Sequence, residues 1–188
     1  MRIIERDDPV TLARLIRPDP LRSPGLHLST IIGDMFRRLE PKRFGGPLSP
    51  ERIALGLAIE EVIGEAVSRL FGTGIRPGEV TSDGIIMTPD HLSFEHGLEE
   101  WKATWVSDRD GLVNPKLDRY HVQGKAYARA FGEHTMLFRV FFVNGNYGPP
   151  APGLRAFHVR YTKRELDENW DLVLRHAEDA GLRNGGNG

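Results

Sequence analysis

The chain has no cysteine. That removes disulfides, thiol nucleophiles and cysteine-held metal clusters together. No apolar stretch reaches membrane-spanning length, and the opening residues MRIIERDDP lack the apolar core of a signal peptide. A cytoplasmic protein with no membrane contact is the expectation. Seven histidines are scattered without a zinc-like spacing. Gly72 and Gly74 fall in a loop that lacks the rest of a GxGxxG pattern, so a nucleotide-binding loop of that type is excluded. Charge of one sign is also missing: the net charge is -1, which argues against a protein that coats nucleic acid by charge alone and requires any positive surface to be local.

What is present suits one soluble domain. With 188 residues, 39% hydrophobic and 27% charged, the chain is long enough to bury one real core. The expected division is an N-terminal arm over 1–27, a single domain over 28–181 and a flexible tail over 182–188, with no internal repeat. Prolines 9, 18, 20 and 24 limit the arm to a short helix near Thr11–Ile16.

The segment from Thr81 to Thr104, TSDGIIMTPDHLSFEHGLEEWKAT, concentrates charge where strands are expected. Side chains alternate faces along a strand, so Glu100 and Lys102 project together while Trp101, Ala103 and Trp105 form an apolar face. Asp83, on the neighbouring run GIIM, is expected to approach them across the sheet. Two carboxylates, the Trp101 carbonyl and an ammonium make an oxygen-rich site for a hard divalent cation, with Lys102 placed to orient a water. Pro89-Asp90 reads as a turn and His91–Glu95 as a middle strand, with His91 and His96 as surface histidines.

Four helices are predicted around this segment. One starts near Ser29 or Thr30 as cap and ends near Leu39, followed by the cluster Arg37, Arg38, Lys42 and Arg43. That cluster reads either as a solvated helix end or as a phosphate-contacting patch. A second helix starts at Ser49-Pro50-Glu51 and stops at Gly72. On it Glu60 falls among Ile53, Gly56, Leu57, Ile63, Gly64 and Val67, a costly place for a carboxylate unless it is paired or binds metal. Glu61 is the second choice there, and an arginine bridge is the structural alternative. A third helix starts at Asn114-Pro115 and ends at Gly132, with Tyr120, Gln123 and Tyr127 on one stripe and Lys125 and Arg129 adding positive charge. Met136–Val143 and Arg155–Tyr161 read as strands, with turn residues over 144–150 between them, and Lys163–Ala180 as a last amphipathic helix.

Asp83, sixteen further residues and then Glu100-x-Lys102 resemble the PD-(D/E)xK nuclease superfamily. Ser82-Asp83-Gly84 and Gln123-x-x-x-Tyr127 are similar to motifs of its branch of lambda-type phage exonucleases and recombination nucleases (RecB-like, YqaJ-like). Position 82 is serine where that branch most often has proline. The resemblance implies an α/β, restriction-endonuclease-like core with a central mixed sheet flanked by helices, in the order αβββαβ. It implies phosphodiester hydrolysis of DNA with Mg²⁺, for which Mn²⁺ substitutes, held by Asp83, Glu100, the Trp101 carbonyl and a helix carboxylate that Glu60 matches. Gln123 would hold a water, a metal-bound oxygen or the lysine, and Tyr127 would contact a phosphate. Exonuclease action in a phage-type recombination or replication system follows, with a ring-shaped homo-oligomer and a recombination or replication partner protein compatible with it. The absence of cysteine excludes the iron–sulfur cluster of some relatives. A structure-specific endonuclease and a catalytically weak DNA-binding or assembly protein are the alternatives.

Overall fold

In the computed structural model, residues 22–44, 46, 50–71, 74–143 and 152–183 are described. Their elements in chain order are β1 (Leu26–His27), α1 (Leu28–Leu39), α2 (Pro41–Phe44), α3 (Pro50–Phe71), β2 (Gly74–Ile75), β3 (Val80–Ser82), β4 (Ile85–Met87), β5 (His91–Ser93) and β6 (Gly97–Thr104). Two 3₁₀ turns follow at Asp108–Val113 and Pro115–Leu117, then α4 (Asp118–Phe131), β7 (Thr135–Phe142), β8 (Gly153–Arg160) and α5 (Lys163–Asp179). The arm over 1–21 with its Thr11–Ile16 helix, the Ser49 cap, the turn over 144–150 and the tail beyond 183 lie outside the described residues.

Five strands form one sheet in the order β2-β5-β6-β7-β8, and three form another in the order β1-β4-β3. β6 and β7 run parallel, Glu100 opposite Phe138 and Lys102 opposite Val140, while β5–β6 and β7–β8 are antiparallel. A parallel pair needs a long crossover, and α4 supplies it. The result is a mixed α/β fold with central sheets flanked by helices, the restriction-endonuclease-like topology.

The apolar composition of β7 follows from its position. Met136, Phe138, Val140 and Phe142 point to one face and join Ile31, Met35, Tyr127 and Trp170 of the helices in the main core. Phe141 points to the other face, where Ile63 and Val67 of α3 pack on Trp101. α3 reaches the indole only because residue 64 is glycine: a Cβ there would lie 2.3 Å from the Trp101 ring. At ~25 cal/mol per Å² the ~200 Å² of a buried indole contributes about 5 kcal/mol.

Two helix starts differ in detail from the sequence reading, while α5 starts at Lys163 as expected. α1 begins at Leu28 with His27 as cap and no side-chain cap bond, two to three residues before the expected Ser29 or Thr30 cap. Asn114 Oδ1 accepts the Lys116 N–H at 2.9 Å, but it opens a 3₁₀ turn, and the α-helix starts only at Asp118. α5 carries a reciprocal capping box between Thr162 and Glu165. The predicted motif strand at Gly84–Met87 is half of a hairpin instead, because Asp83 and Gly84 take φ of 49° and 74° and turn β3 back into β4.

Candidate active site

The site begins where β5 leaves β6. Carried further, the register that sets His91 opposite Glu99 would bring Pro89 opposite Trp101. Proline has no N–H to continue the ladder, and the Trp101 N–H bonds instead to Asp90 Oδ2 at 2.7 Å. The N–H and C=O of one strand residue point to the same side. The Trp101 carbonyl therefore faces the gap beside Asp90.

Glu100 is 1% exposed on β6, and Lys102 Nζ donates to its Oε1. The same Nζ lies 3.8 Å from Asp90 Oδ2. Glu100 Oε2 is buried and has no hydrogen-bond partner among the described residues. Burial, and then the Asp90 charge, push the Glu100 carboxyl well above the usual glutamate range against the pull of Lys102. Burial works to deprotonate Lys102, but the Glu100, Asp90 and Glu60 charges overcome it and hold the ammonium well above its ordinary value. The lysine is therefore a cation with donors to give.

Two helices complete the cleft. α4 brings Gln123 and Tyr127: Gln123 Nε2 donates to the Tyr127 hydroxyl at 2.7 Å, and that hydroxyl donates to the Thr88 carbonyl at 3.3 Å. Burial raises the Tyr127 phenol far above its ordinary value, so it stays protonated. α3 brings Leu57, Glu60 and Glu61, and the Glu60 charge is felt at both Glu100 and Lys102. With Asp90 and the Trp101 edge these residues line a cleft of about 450 Å³ whose remaining wall includes Arg22, His27 and Arg76.

Several expected residues sit elsewhere. Asp83 does not line the cleft. It occupies the β3–β4 turn in the other sheet, where its Oδ2 accepts the Trp170 indole N–H at 2.8 Å. The carboxylate that faces Glu100 and Lys102 is Asp90. Arg37 and Arg38 both pair with Asp34, at 3.8 and 2.7 Å, at the far end of α1 from the cleft. Lys42 and Arg43 lie beyond them on α2, with Arg43 bound to Glu40 at 2.7 Å. Lys125 stands over the Tyr161 ring, and Arg129 over Trp170 and 3.6 Å from Asp167, so both face α5 and its approach rather than the cleft. His91 is 4% exposed, not a surface residue, and stacks on Trp101 at 5.3 Å. His96 is partly exposed, 5.4 Å from the His158 ring.

The donor set suits a hard cation. Among the described residues no group of three or more histidine, aspartate or glutamate side chains is gathered as a metal cage. Mg²⁺ does not require one, because it is commonly held by one or two carboxylates while keeping waters and taking phosphate oxygens. Asp90, Glu100 and the Trp101 carbonyl are such a set. The unpartnered Glu100 Oε2 is a buried oxygen for which a cation would be a fitting partner.

Sequence reasoning missed Asp90, and two signals could have found it. Pro89-Asp90 is itself a Pro-Asp dipeptide ahead of Glu100-x-Lys102, and Asp83-Gly84 between short apolar strands is a hairpin-turn signature. Arg22 and Arg76 carried no local pattern that set them apart from the other arginines.

No protein-family model and no curated protein matches this chain. Solved structures do. An alkaline exonuclease (LHK-Exo) from Laribacter hongkongensis superposes with a TM-score of 0.58 at 15% identity, over 84% of this chain and 88% of that one. The same exonuclease in complex with dAMP gives 0.54 at 15% identity, over 83% and 89%. The crystal structure of SSO0001 gives 0.53 at 12% identity, over 95% and 87%. At such identities the likeness establishes a shared fold.

Proposed function

We propose that this protein is a metal-dependent deoxyribonuclease that hydrolyses phosphodiester bonds from DNA ends. The observation that carries the reading is the convergence of Asp90, Glu100 and Lys102 at the point where β5 leaves β6, with Gln123, Tyr127 and Glu60 around them. End-dependence is supported by the fold shared with an alkaline exonuclease, and a recombination or replication role rests on the motif resemblance alone.

Asp90, Glu100 and the Trp101 carbonyl are the oxygens that would hold Mg²⁺ or Mn²⁺, with Glu60 as the helix carboxylate. A bound divalent ion supplies Lewis-acid stabilisation of phosphoryl charge and a more acidic water. Hydrolysis forms a bond from a water oxygen to phosphorus and breaks the bond from phosphorus to the leaving deoxyribose oxygen. Glu100 would face the cation through its buried Oε2, so the proton of that water passes to solvent, from which the leaving oxygen takes one. Lys102, held as an ammonium by its carboxylate neighbours, donates to the phosphate as negative charge builds on it. Because Gln123 Nε2 is committed to Tyr127, its amide oxygen is left to orient the water. Arg22 and Arg76 bind the flanking phosphates.

The test is Mg²⁺- and Mn²⁺-dependent digestion of end-labelled linear DNA beside closed circular DNA, with Lys102→Ala as control. Loss of linear DNA alone, abolished in Lys102→Ala, is the expected result. Cutting of circles would make the enzyme an endonuclease. No metal-dependent cutting of either form would leave a nuclease-fold DNA-binding protein.

A further inference from the structure

Directly behind the catalytic face of β6 lies a second set of polar side chains that never reaches the cleft chemistry. Glu99 is fully buried, and its Oε2 accepts from Arg139 Nε at 2.9 Å and from the Trp101 indole N–H at 3.3 Å. Its Oε1 accepts from Arg139 Nη2 at 3.4 Å. Arg139 belongs to β7 and is opposite Trp101 in register, and His91 belongs to β5 and is opposite Glu99, its Nδ1 3.8 Å from Glu99 Oε2. One carboxylate thus bonds side chains of β6 and β7, and lies 3.8 Å from His91 of β5, whose Nδ1 has no hydrogen-bond partner among the described residues. The packing around it has no slack: a Cβ at Gly74 would lie 2.1 Å from His91 Nε2.

Glu99 precedes Glu100, and His91 follows Asp90. Strand alternation turns 99 and 100 to opposite faces, so a rotation of β6 or β5 that displaced the back-face set would displace the two cleft carboxylates with it. An apolar pair would fill the same space at little cost in stability, because replacing a buried ion pair by hydrophobic residues is often neutral or stabilising. What an apolar pair would lack is directional bonds between strands.

We infer that Glu99 is a positioning residue, clamped by Arg139 of β7 and the Trp101 indole so that the Trp101 backbone N–H meets Asp90 and sets it opposite Glu100 and Lys102. The inference rests on the nuclease reading for its kinetic consequence, but not for its structural one.

The experiment uses the full chain carrying Glu99→Leu with Arg139→Leu. Removing both charges together avoids leaving one buried and unpaired, so the melting temperature should stay within about 5 °C of wild type. Exchange of the Trp101 backbone N–H, the donor to Asp90, should become about tenfold faster or more, while exchange at Phe138 of β7 is unchanged. On linear DNA kcat should fall about tenfold or more with KM within about twofold, since the loss is one of alignment and not of substrate binding. Wild-type exchange at Trp101 in the double variant would overturn the inference and leave the pair a purely structural one. If wild type itself does not cut DNA, the nuclease reading fails and the exchange result still decides the role of Glu99. Should the double variant fail to fold, Glu99→Gln keeps the shape of the side chain, weakens the bonds from Arg139 and the Trp101 indole, and must still speed exchange at residue 101 by about threefold; unchanged exchange there would refute the clamp.

Discussion

Asp90 Oδ2 takes the Trp101 backbone N–H at 2.7 Å and lies 3.8 Å from Lys102 Nζ. One carboxylate therefore ends the pairing of β5 with β6 and stands at the point where a cleft opens. The sheet is parted by the same residue that the proposed chemistry uses. Pro89 makes the parting local, since the preceding position offers no N–H to rebuild the ladder.

That relationship separates two aspartates. Asp90→Asn should reduce metal-dependent cleavage by a factor of about 10² or more, because it removes a charge that cannot be replaced from the backbone. Asp83→Asn should leave cleavage within about threefold, and lower stability by ~1 kcal/mol through a weaker bond from the Trp170 indole. Rates on linear DNA and urea unfolding of the two variants check both. Loss of cleavage in Asp83→Asn with activity retained in Asp90→Asn would return the role to the residue first read from the sequence.

Lys102 supplies a prediction that does not depend on turnover. Its ammonium is the partner of a carboxylate that is otherwise buried without compensation. Lys102→Met should destabilise the metal-free protein by about 3 kcal/mol, the usual cost of breaking a buried pair. The ammonium also competes with any cation for Glu100. Mn²⁺ should therefore raise the melting temperature of Lys102→Met more than that of wild type, by linkage. An equal rise in both, measured by calorimetry, would mean that Glu100 is not a cation ligand.

Most of the fold was legible in the sequence because its elements carry local signals. Pro50 opening α3, the Thr162–Glu165 box before α5 and the apolar run of β7 each specify an element without help from distant residues. Glu100 and Lys102 were legible for the same reason: alternation along one strand decides which residues share a face. Asp90 was not, because its role depends on where two strands separate, and that is a property of their register. Asp83 lies apart from Glu100 and Lys102 because a competing local rule, the preference of Asp-Gly for a tight hairpin turn with positive φ, sets its position. His91 looked polar enough for the surface, yet a tertiary partner, the Trp101 ring, covers it.

The burial of His91 has a consequence for pH. Burial lowers its pKa below the ordinary histidine value of 6.5, with Arg139 and Arg76 acting in the same direction and Glu99 and Asp90 against it. The unfolded chain takes up the proton as pH falls through 6.5, whereas the folded chain resists until a lower pH. The unfolded state then holds more protons, so stability contributed by neutral His91 is complete above 6.5 and is lost as pH falls through the folded value. His91→Phe keeps a ring against Trp101 and removes the proton. The difference in stability between wild type and His91→Phe should be constant above neutrality and should move against wild type on acidification. Urea unfolding of both proteins across that range measures it, and a pH-independent difference would contradict the assignment.

The last prediction concerns where DNA lies, given a chain with a net charge of only -1. The arginines that line the cleft are Arg22, whose Nη1 donates to Ser29 Oγ at 3.2 Å, and Arg76, over the Trp101 ring at 5.8 Å. Arg37 and Arg38 belong to the opposite end of the 12-residue α1, about 14 Å along its axis from Leu28 at 1.5 Å per residue, and share Asp34. That distance exceeds a Debye length at physiological salt, so their charges are largely screened from a strand in the cleft. In the Asp90→Asn background without divalent metal, where cutting is not expected, Arg22→Ala and Arg76→Ala should each weaken binding about fivefold at 0.1 M salt. Each should also reduce the slope of log affinity against log salt by about 1, with no change in sequence preference, as expected for a lost phosphate contact. Arg37→Ala with Arg38→Ala should stay within about twofold of the parent. Fluorescence anisotropy over a salt series reads all of these. The reverse pattern would place the DNA along the α1–α2 end, and the cleft arginines would then serve only to hold the Ser29 and Trp101 side chains.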